Sequence, residues 1–399
     1  MSALMPVADA LAAILKTSEV LASEDVALRQ AAGRVLAQNI SALRTQPPFP
    51  ASAMDGYAVR ADDIASAPAN LTLVGESAAG HPFHGSISTN ECVRIFTGAP
   101  VPEGADTILI QENAQTTGDS VTALQAEERG RYVRPAALDF AEGDELLSAG
   151  EILDAGSLSL AAAMNHPALP VRRRPLVAII ATGDELRVPG SKLEPGQIIA
   201  SNTFGVAALV EKAGGKVLDL GIASDTMKSL EEKFKAAQGA DIVVTLGGAS
   251  VGDHDLVQDA LETRGVTLDF WKLAMRPGKP VTFGTAPSGQ RYLGLPGNPV
   301  SSLVCTTIFL APLIKSMLGL PAQTHHQTAR LAVDLPQNNE REEYARATYE
   351  LMDGDWWVTP AASQDSSIIR LYHQSNCLLI RPANAPALKR GATCHVVPL

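Results

Sequence analysis

The run PLVAIIATGDEL, residues 175–186, is the stretch on which the fold turns. Its first eight residues are almost continuously apolar, as in a strand covered on both faces. The apolar run then breaks at Thr182-Gly183-Asp184-Glu185. Downstream, helical and strand-like patterns alternate. A helix over Thr203–Ala213 is stopped by Gly214 and Gly215, and KVLDLGIA (216–223) is the next strand. The helix Thr226–Gln238, the strand DIVVTL (241–246) and the helix Leu256–Thr263 follow. VTLDFW (266–271), PVTFGTA (280–286) and RYLGL (291–295) read as strands, and Val300–Leu318 as a closing helix. Such alternation predicts a parallel, doubly wound α/β domain.

The flanks have other textures. Residues 46–138 hold short β-like runs, LTLVGE, CVRIFTG, DTILIQE and SVTALQ, punctuated by Pro and Gly, the pattern of a β-rich domain. Residues 139–170 mix turns with an Ala-rich helix, Ser157–Asn165, for which Ser157 is the expected N-cap and Pro167 the stop. After a linker at 321–327, RLAVDL, ATYELM, WWVTP and NCLLIRP predict a small all-β domain. At the other end, Val7, Leu11, Ile14 and Leu15 fall at helical spacing, so the N-terminus reads as an amphipathic helix rather than a signal peptide.

Composition narrows the function. The chain has 399 residues, a formal net charge of −11 and no basic run, which argues against a nucleic-acid or anionic-membrane partner. Val300–Leu318 contains Pro312 and Lys315 and reads as a buried helix rather than a membrane span. Cys92, Cys305, Cys377 and Cys394 form no CxxC pair; they read as reduced thiols of a cytoplasmic protein. The histidines lack metal-ligand spacing, and no GxSxG, Walker A or HExxH motif is present.

Ligands of an open α/β sheet bind where strands end and helices begin. Four loops there have unusual residues: 181–185, 247–255, 275–280 and 295–299. In GGASVGDHD (247–255), Gly247, Gly248 and Gly252 let backbone N–H groups approach an anion, and a helix N-terminus follows. Arg276 and Lys279 add positive charge. Asp253 and Asp255 would repel a bare phosphate, yet they suit Mg²⁺ held between carboxylate and phosphate oxygens; the plain alternative is that they cap the helix at Leu256. Asp225 is likewise either a cap or a ligand, and Glu185 is a better ligand or base candidate than Asp184. Asp55-Gly56, after a Pro-rich lead, reads equally well as a hairpin turn.

Taken in order, PPFPASAMDGYAV, RIFTGAPVPEGADTIL, ATGDEL, SDT, TLGGASVGDHD, MRPGKP and LGLPGNPVSS resemble one family, the molybdopterin molybdenumtransferases: the MoeA proteins and the gephyrin E domain. The blocks cover most of the chain. The resemblance implies an N-terminal helix (1–21) packing on the α/β domain and an elongated α+β dimerisation domain (22–45 with 139–172). It further implies a β-rich domain (46–138), a molybdopterin-binding α/β domain similar to the adenylyltransferase fold (173–320) and a C-terminal β-barrel (321–399). It also implies a reaction, in which molybdate is inserted into adenylylated molybdopterin with Mg²⁺-dependent cleavage of the phosphoanhydride and release of AMP. By the same resemblance Asp55, Glu185, Asp225, Asp255 and Lys279 are catalytic, with Glu185, Asp225 and Asp255 toward the metal. Thr97, Thr182, Gly183, Gly247, Gly248, Ser250, Gly252, Arg276, Pro296, Gly297, Asn298, Pro299, Ser301, Arg346 and Ser367 line the substrate site. Asp55 would come from the second subunit of a homodimer, and a molybdopterin adenylyltransferase is an expected transient partner. Three positions depart from the pattern: Arg276 where a lysine is typical, Asp253 where a glutamate is frequent, and Gln364-Asp365-Ser366-Ser367 for a Gly-Ser-Gly-like stretch. The competing assignments are a molybdopterin adenylyltransferase and a gephyrin-like scaffold without catalysis.

Overall fold

A computed structural model describes residues 4–248, 256–270, 272–323 and 326–399. The chain divides into two compact units, residues 25–171 and residues 1–24 with 172–399.

In the larger unit, the run at 175 becomes strand β1 (Leu176–Thr182), flanked by β2 (Lys216–Ala223) and β3 (Ile242–Leu246). With β4 (Thr267–Phe270), β5 (Thr282–Thr285) and β6 (Arg291–Leu295) they form a sheet of order β2-β1-β3-β6-β5-β4. Neighbours among β2, β1, β3 and β6 are parallel, but β5 runs antiparallel to both β6 and β4. The expected all-parallel sheet is therefore corrected to a mixed one. Only Ala286–Gln290 connect β5 to β6, too short for the crossover a parallel pair requires.

One face of the sheet buries Ile180, Val243 and Tyr292 under Leu230 and Phe234 of a helix (Met227–Ala236) and Val257 and Leu261 of another (Leu256–Glu262). Against the other face lies a helix continuous over Pro299–Met317, interrupted by one π-turn at Thr306–Leu310. It is long and apolar enough to cross a membrane, but 78% of its most apolar window is buried inside the protein, as expected of a core helix. The N-terminal helix, Val7–Lys16, buries Val7, Ala10 and Ile14 and packs on this long helix. The segment after it is fixed by Leu21 N donating to Met317 O at 2.8 Å and by the Arg291 guanidinium donating to Thr17 O.

The C-terminal region of this unit closes on itself. Its strands run Glu342–Met352, Asp355–Pro360, Gln327–Leu331, Thr393–Pro398 and Cys377–Arg381, and the last pairs back with the first. This is the expected small barrel, filled by Leu331, Ala347, Val358, Leu379 and Val396. A short strand, Met275–Arg276, adds to its edge beside Glu342–Glu343. The residues just before that strand also bridge to the N-terminus: Met5 N donates to Lys272 O and Ala274 N to Met5 O.

The smaller unit contains a six-stranded sheet, and Gly56–Val59 lies between Thr107–Ile110 and Glu91–Ile95 within it. A separate core of Leu36, Ile40, Phe140, Leu153, Met164 and Val171 surrounds the helix Ala155–Ala163. Ser157 is not the N-cap: Asp154 accepts from Ser157 N, and Ser157 completes the capping box from inside the first turn. All four cysteines are buried free thiols, and burial pushes those of Cys92 and Cys377 up to about 12.

One ion pair ties the leading edges of two central strands. Arg173 donates through both Nη atoms to Asp241 at 2.8 Å, and Leu176 N donates to the same carboxylate at 2.7 Å. Burial alone would raise the Asp241 carboxyl, but the guanidinium and the N–H outweigh it and hold it below its ordinary 3.8. A carboxyl depressed on folding stabilises fully above its unfolded value and loses that contribution as pH falls through the folded one. Asp241→Asn should therefore lower stability by about 1–2 kcal/mol at pH 7, a figure that allows for solvent on the Arg173 side. The difference from wild type should shrink below about pH 4; guanidinium melts at pH 7 and pH 3 check this.

Candidate functional site

From β1 the chain goes through the helix Asn202–Lys212 to β2 on one side; from β3 it departs toward the other. The carboxyl ends of β1 and β3 are thus the switch point at which an open α/β sheet leaves a crevice. A cavity of about 840 Å³ opens there. A larger hollow, about 1200 Å³, lies at the opposite strand edge around Gln238–Asp241 and Arg291, where no helix N-terminus among the described residues faces a strand end, so the switch-point cavity is the better site.

The floor is set by close packing. Gly247 has φ +98°, and a Cβ there would meet Thr182 O at 2.8 Å; only glycine lets the β3 loop press against the β1 end. Each loop is tethered to the neighbouring strand, Gly183 N donating to Ala223 O and Gly247 N to Leu295 O. At Gly183, φ +145°, a Cβ would strike the Glu185 carboxylate.

The walls follow in sequence order. Thr182, Gly183, Glu185, Asp225, Gly247, Gly248, Lys279, Pro296, Gly297, Asn298, Pro299 and Ser367 all line the cavity. Glu185 lines it and Asp184 does not. Asp184 instead pairs with Asp225 through the backbone: Asp225 N donates to Asp184 Oδ1 at 3.1 Å, and Asp184 N to Asp225 Oδ2 at 3.4 Å. Asp225 is not the cap of the next helix. Thr226 is, its hydroxyl accepting from Ser229 N, and this leaves the Asp225 side chain at the cavity. Lys272, which sequence reasoning overlooked, lines the same cavity; no motif marks it, and only the turn of residues 272–280 sets it beside Lys279. Neither lysine has an ion-pair partner among the described residues.

The far wall is the start of the long helix. Asn298 is its N-cap and Pro299 its first residue, so the helix directs its positive end at the cavity. Asn298 Nδ2 donates to Ser366 Oγ at 3.0 Å and Val300 N to Ser366 O at 3.1 Å, which brings the barrel loop 363–368 to the rim. Ser367 donates through N and Oγ to Asp365 Oδ1, and these bonds hold the Asp365 carboxyl below its ordinary value.

Three expectations are corrected. Arg346 is 2% exposed and faces its own domain. Its guanidinium donates to Gln364 Oε1 and to the carbonyls of Ser363, Asp365 and Ile368, so it orders the loop and does not line the cavity. Arg276 faces Glu343 at 3.5 Å on the barrel edge, because Met275–Arg276 has become a strand. Ser301 is 4% exposed inside the helix; the neighbouring Ser302 is the one that braces the loop, donating to Pro296 O. Asp55 and Thr97 belong to the other unit. There Thr97 N and Oγ1 donate to Asp55 Oδ1 at 2.8 and 2.9 Å, and these bonds, with Arg94 nearby, keep the Asp55 carboxyl below its ordinary value. Ser250, Gly252, Asp253 and Asp255 lie outside the described residues.

The donor set suits a hard divalent cation shared with a phosphate. Such a cation takes one or two carboxylates and completes its shell with water and phosphate oxygens; Glu185 and Asp225 supply two carboxylates on one cavity. No group of three ligand side chains occurs among the described residues.

Comparison with known proteins finds relatives along most of the chain. Residues 5–165 match the model of the MoeA N-terminal region (domain I and II), residues 178–316 that of the "Probable molybdopterin binding domain", and residues 328–399 that of the MoeA C-terminal region (domain IV). The chain is 37% identical to a molybdopterin molybdenumtransferase of Nostoc sp., over 94% of this chain and 89% of that protein. It is 35% identical to one of Haemophilus influenzae, over 94% of each. Among solved structures, a molybdopterin biosynthesis MoeA protein from Pyrococcus horikoshii superimposes with a TM-score of 0.85 at 27% identity, covering 99% of both chains.

Replacing Arg346 tests the role the structure gives it. Arg346→Met strands several buried carbonyls and should cost roughly 2–4 kcal/mol. Amide exchange should speed up in residues 363–368 before it does elsewhere in the barrel; uniform protection would count against a loop-ordering role.

Proposed function

The chain belongs to the MoeA family of molybdopterin molybdenumtransferases, and from that premise we propose that it transfers molybdenum to adenylylated molybdopterin in molybdenum cofactor biosynthesis, releasing AMP. One observation supports this most directly: two lysines without an ion-pair partner among the described residues, a helix N-terminus and two carboxylates surround one cavity at the switch point. Lysines and helix dipole alone would suit a simple anion, and carboxylates alone a cation. Together they suit a pyrophosphate that arrives with Mg²⁺.

In this reading Gly247, Gly248 and the 296–299 loop seat the pyrophosphate without side-chain obstruction. Glu185 and Asp225, with Asp255 of the adjoining loop, would hold Mg²⁺, which when bound neutralises phosphate charge and polarises the P–O bond that breaks. Lys279 and Lys272 stabilise the negative charge that grows on the departing AMP as the phosphoanhydride opens. Lys279, Ser367 and the prolines Pro296 and Pro299 form the end of the cavity at which molybdate, a tetrahedral oxyanion, is delivered to the dithiolene. The protein acts as a homodimer, Asp55 and Thr97 of one subunit completing the cavity of the other; the depressed Asp55 carboxyl suits a group that must stay ionised beside a cation. A transient complex with a molybdopterin adenylyltransferase would hand over the substrate. The buried unpaired thiols support a reducing, cytoplasmic setting.

Purified protein supplied with adenylylated molybdopterin and Mg²⁺ should release AMP when molybdate is added. Lys279→Ala and Asp255→Ala should each reduce that release by about 100-fold or more, the scale of losing one preorganised electrostatic group, with the oligomeric state unchanged. Near-normal turnover in both would refute the site, and consumption of ATP with release of pyrophosphate would refute the reaction. Mixing inactive Asp55→Ala and Lys279→Ala chains tests the shared site: random exchange of subunits should restore about a quarter of wild-type activity, since each mixed dimer keeps one intact site. No recovery after verified exchange would place both groups on one subunit.

A further inference from the structure

Asn202, the first residue of the helix Asn202–Lys212, lines the switch-point cavity. Its amide has only one workable orientation. Nδ2 donates to Gly297 O at 2.7 Å and to Ser302 Oγ at 3.4 Å. A carbonyl oxygen can only accept, so the reversed amide would set two oxygens against each other. Ser302 gives its own proton to Pro296 O, which leaves its oxygen to accept from Asn202. Both amide hydrogens are therefore committed to the 296–302 turn. Oδ1 remains, and no group among the described residues donates to it.

Oδ1 also differs in kind from the charged groups of the cavity. Lys272, Lys279 and the helix N-terminus donate, and Glu185 and Asp225 accept with a full negative charge. Asn202 offers a neutral acceptor, in fixed orientation, on a wall that must tolerate a polyanionic ligand. We propose that Asn202 is a specificity-determining residue: its Oδ1 accepts a hydrogen bond from an exocyclic amino group of the heteroaromatic part of the substrate, as the aminopyrimidinone edge of a pterin provides. The inference rests on the molybdopterin reading and adds to it the residue that distinguishes a ring bearing that amino group from one of equal size without it. An aspartate would not serve, because its second oxygen would face Gly297 O.

Fluorescence titration with two probes tests it: 2-amino-4-oxopteridine, and 4-oxopteridine, which lacks the amino group. Wild type should bind the amino compound about 3- to 10-fold more tightly, the scale of one net hydrogen bond. Asn202→Ala should abolish the preference. Asn202→Ser, which keeps a hydroxyl to donate toward Gly297 O but has no Oδ1, should do the same with less effect on folding. Ser302→Ala, which loosens the turn and spares Oδ1, should weaken both probes alike and keep the preference. In the AMP-release assay, Asn202→Ser should raise KM by a larger factor than it lowers kcat. A preference that survives both Asn202 variants overturns the inference and leaves the molybdopterin reading standing. Failure of wild type to bind either pteridine would overturn both.

Discussion

The approach of the β3 loop to the end of β1, with the Gly247 backbone against Thr182, is the constraint on which the rest depends. A side chain at 247 would have nowhere to go. Because the two strand ends meet there and their connections leave for opposite faces, a crevice must open between them, and its rim is made of backbone. Everything charged is supplied from a short distance: lysines from the 272–280 turn, carboxylates from the ends of β1 and β2, and a helix terminus from the end of β6. The elements are ordinary, and their shared edge gives the cavity both signs of charge within one ligand's length.

The division of labour among polar residues is equally physical. Asp184 and Asp225 look alike in the sequence, and each carboxylate accepts from the other's backbone N–H, yet only Asp225 also lines the cavity. Thr226 relieves Asp225 of capping duty, and Ser302 braces the turn beneath Pro296. Arg346 shows the same economy at longer range. Although the resemblance assigns it to the substrate, its fork fits a nest of backbone carbonyls, and the residues it arranges, Ser366 and Ser367, are those that reach the rim.

Much of this is legible in the sequence alone. Continuous apolar runs at 175–182 and 241–246 announced central strands, and the glycine-rich ends and the PGNP loop marked the functional edge, because both follow from local chemistry. What stayed hidden depends on pairing across the fold. The reversal of β5 follows from a connection of five residues, which is visible only once its strands are known to be neighbours. Lys272 has no motif around it; its place comes from where the turn lies. Arg276 reads as a second phosphate cation until Met275–Arg276 joins the barrel and turns it to Glu343. Ser157 looked like a cap because a serine before an Ala-rich run usually is one; Asp154, three residues earlier, took that place.

The turn that holds both lysines is stitched on one side to Met5, before the first helix, and on the other to Glu342, in the barrel. Two segments far apart in sequence thus act as paired guy-ropes on a single span. Neither rope has a reactive group, yet slackening either would let the cationic arm of the cavity drift. Purely mechanical lesions remote in sequence would then present as electrostatic ones.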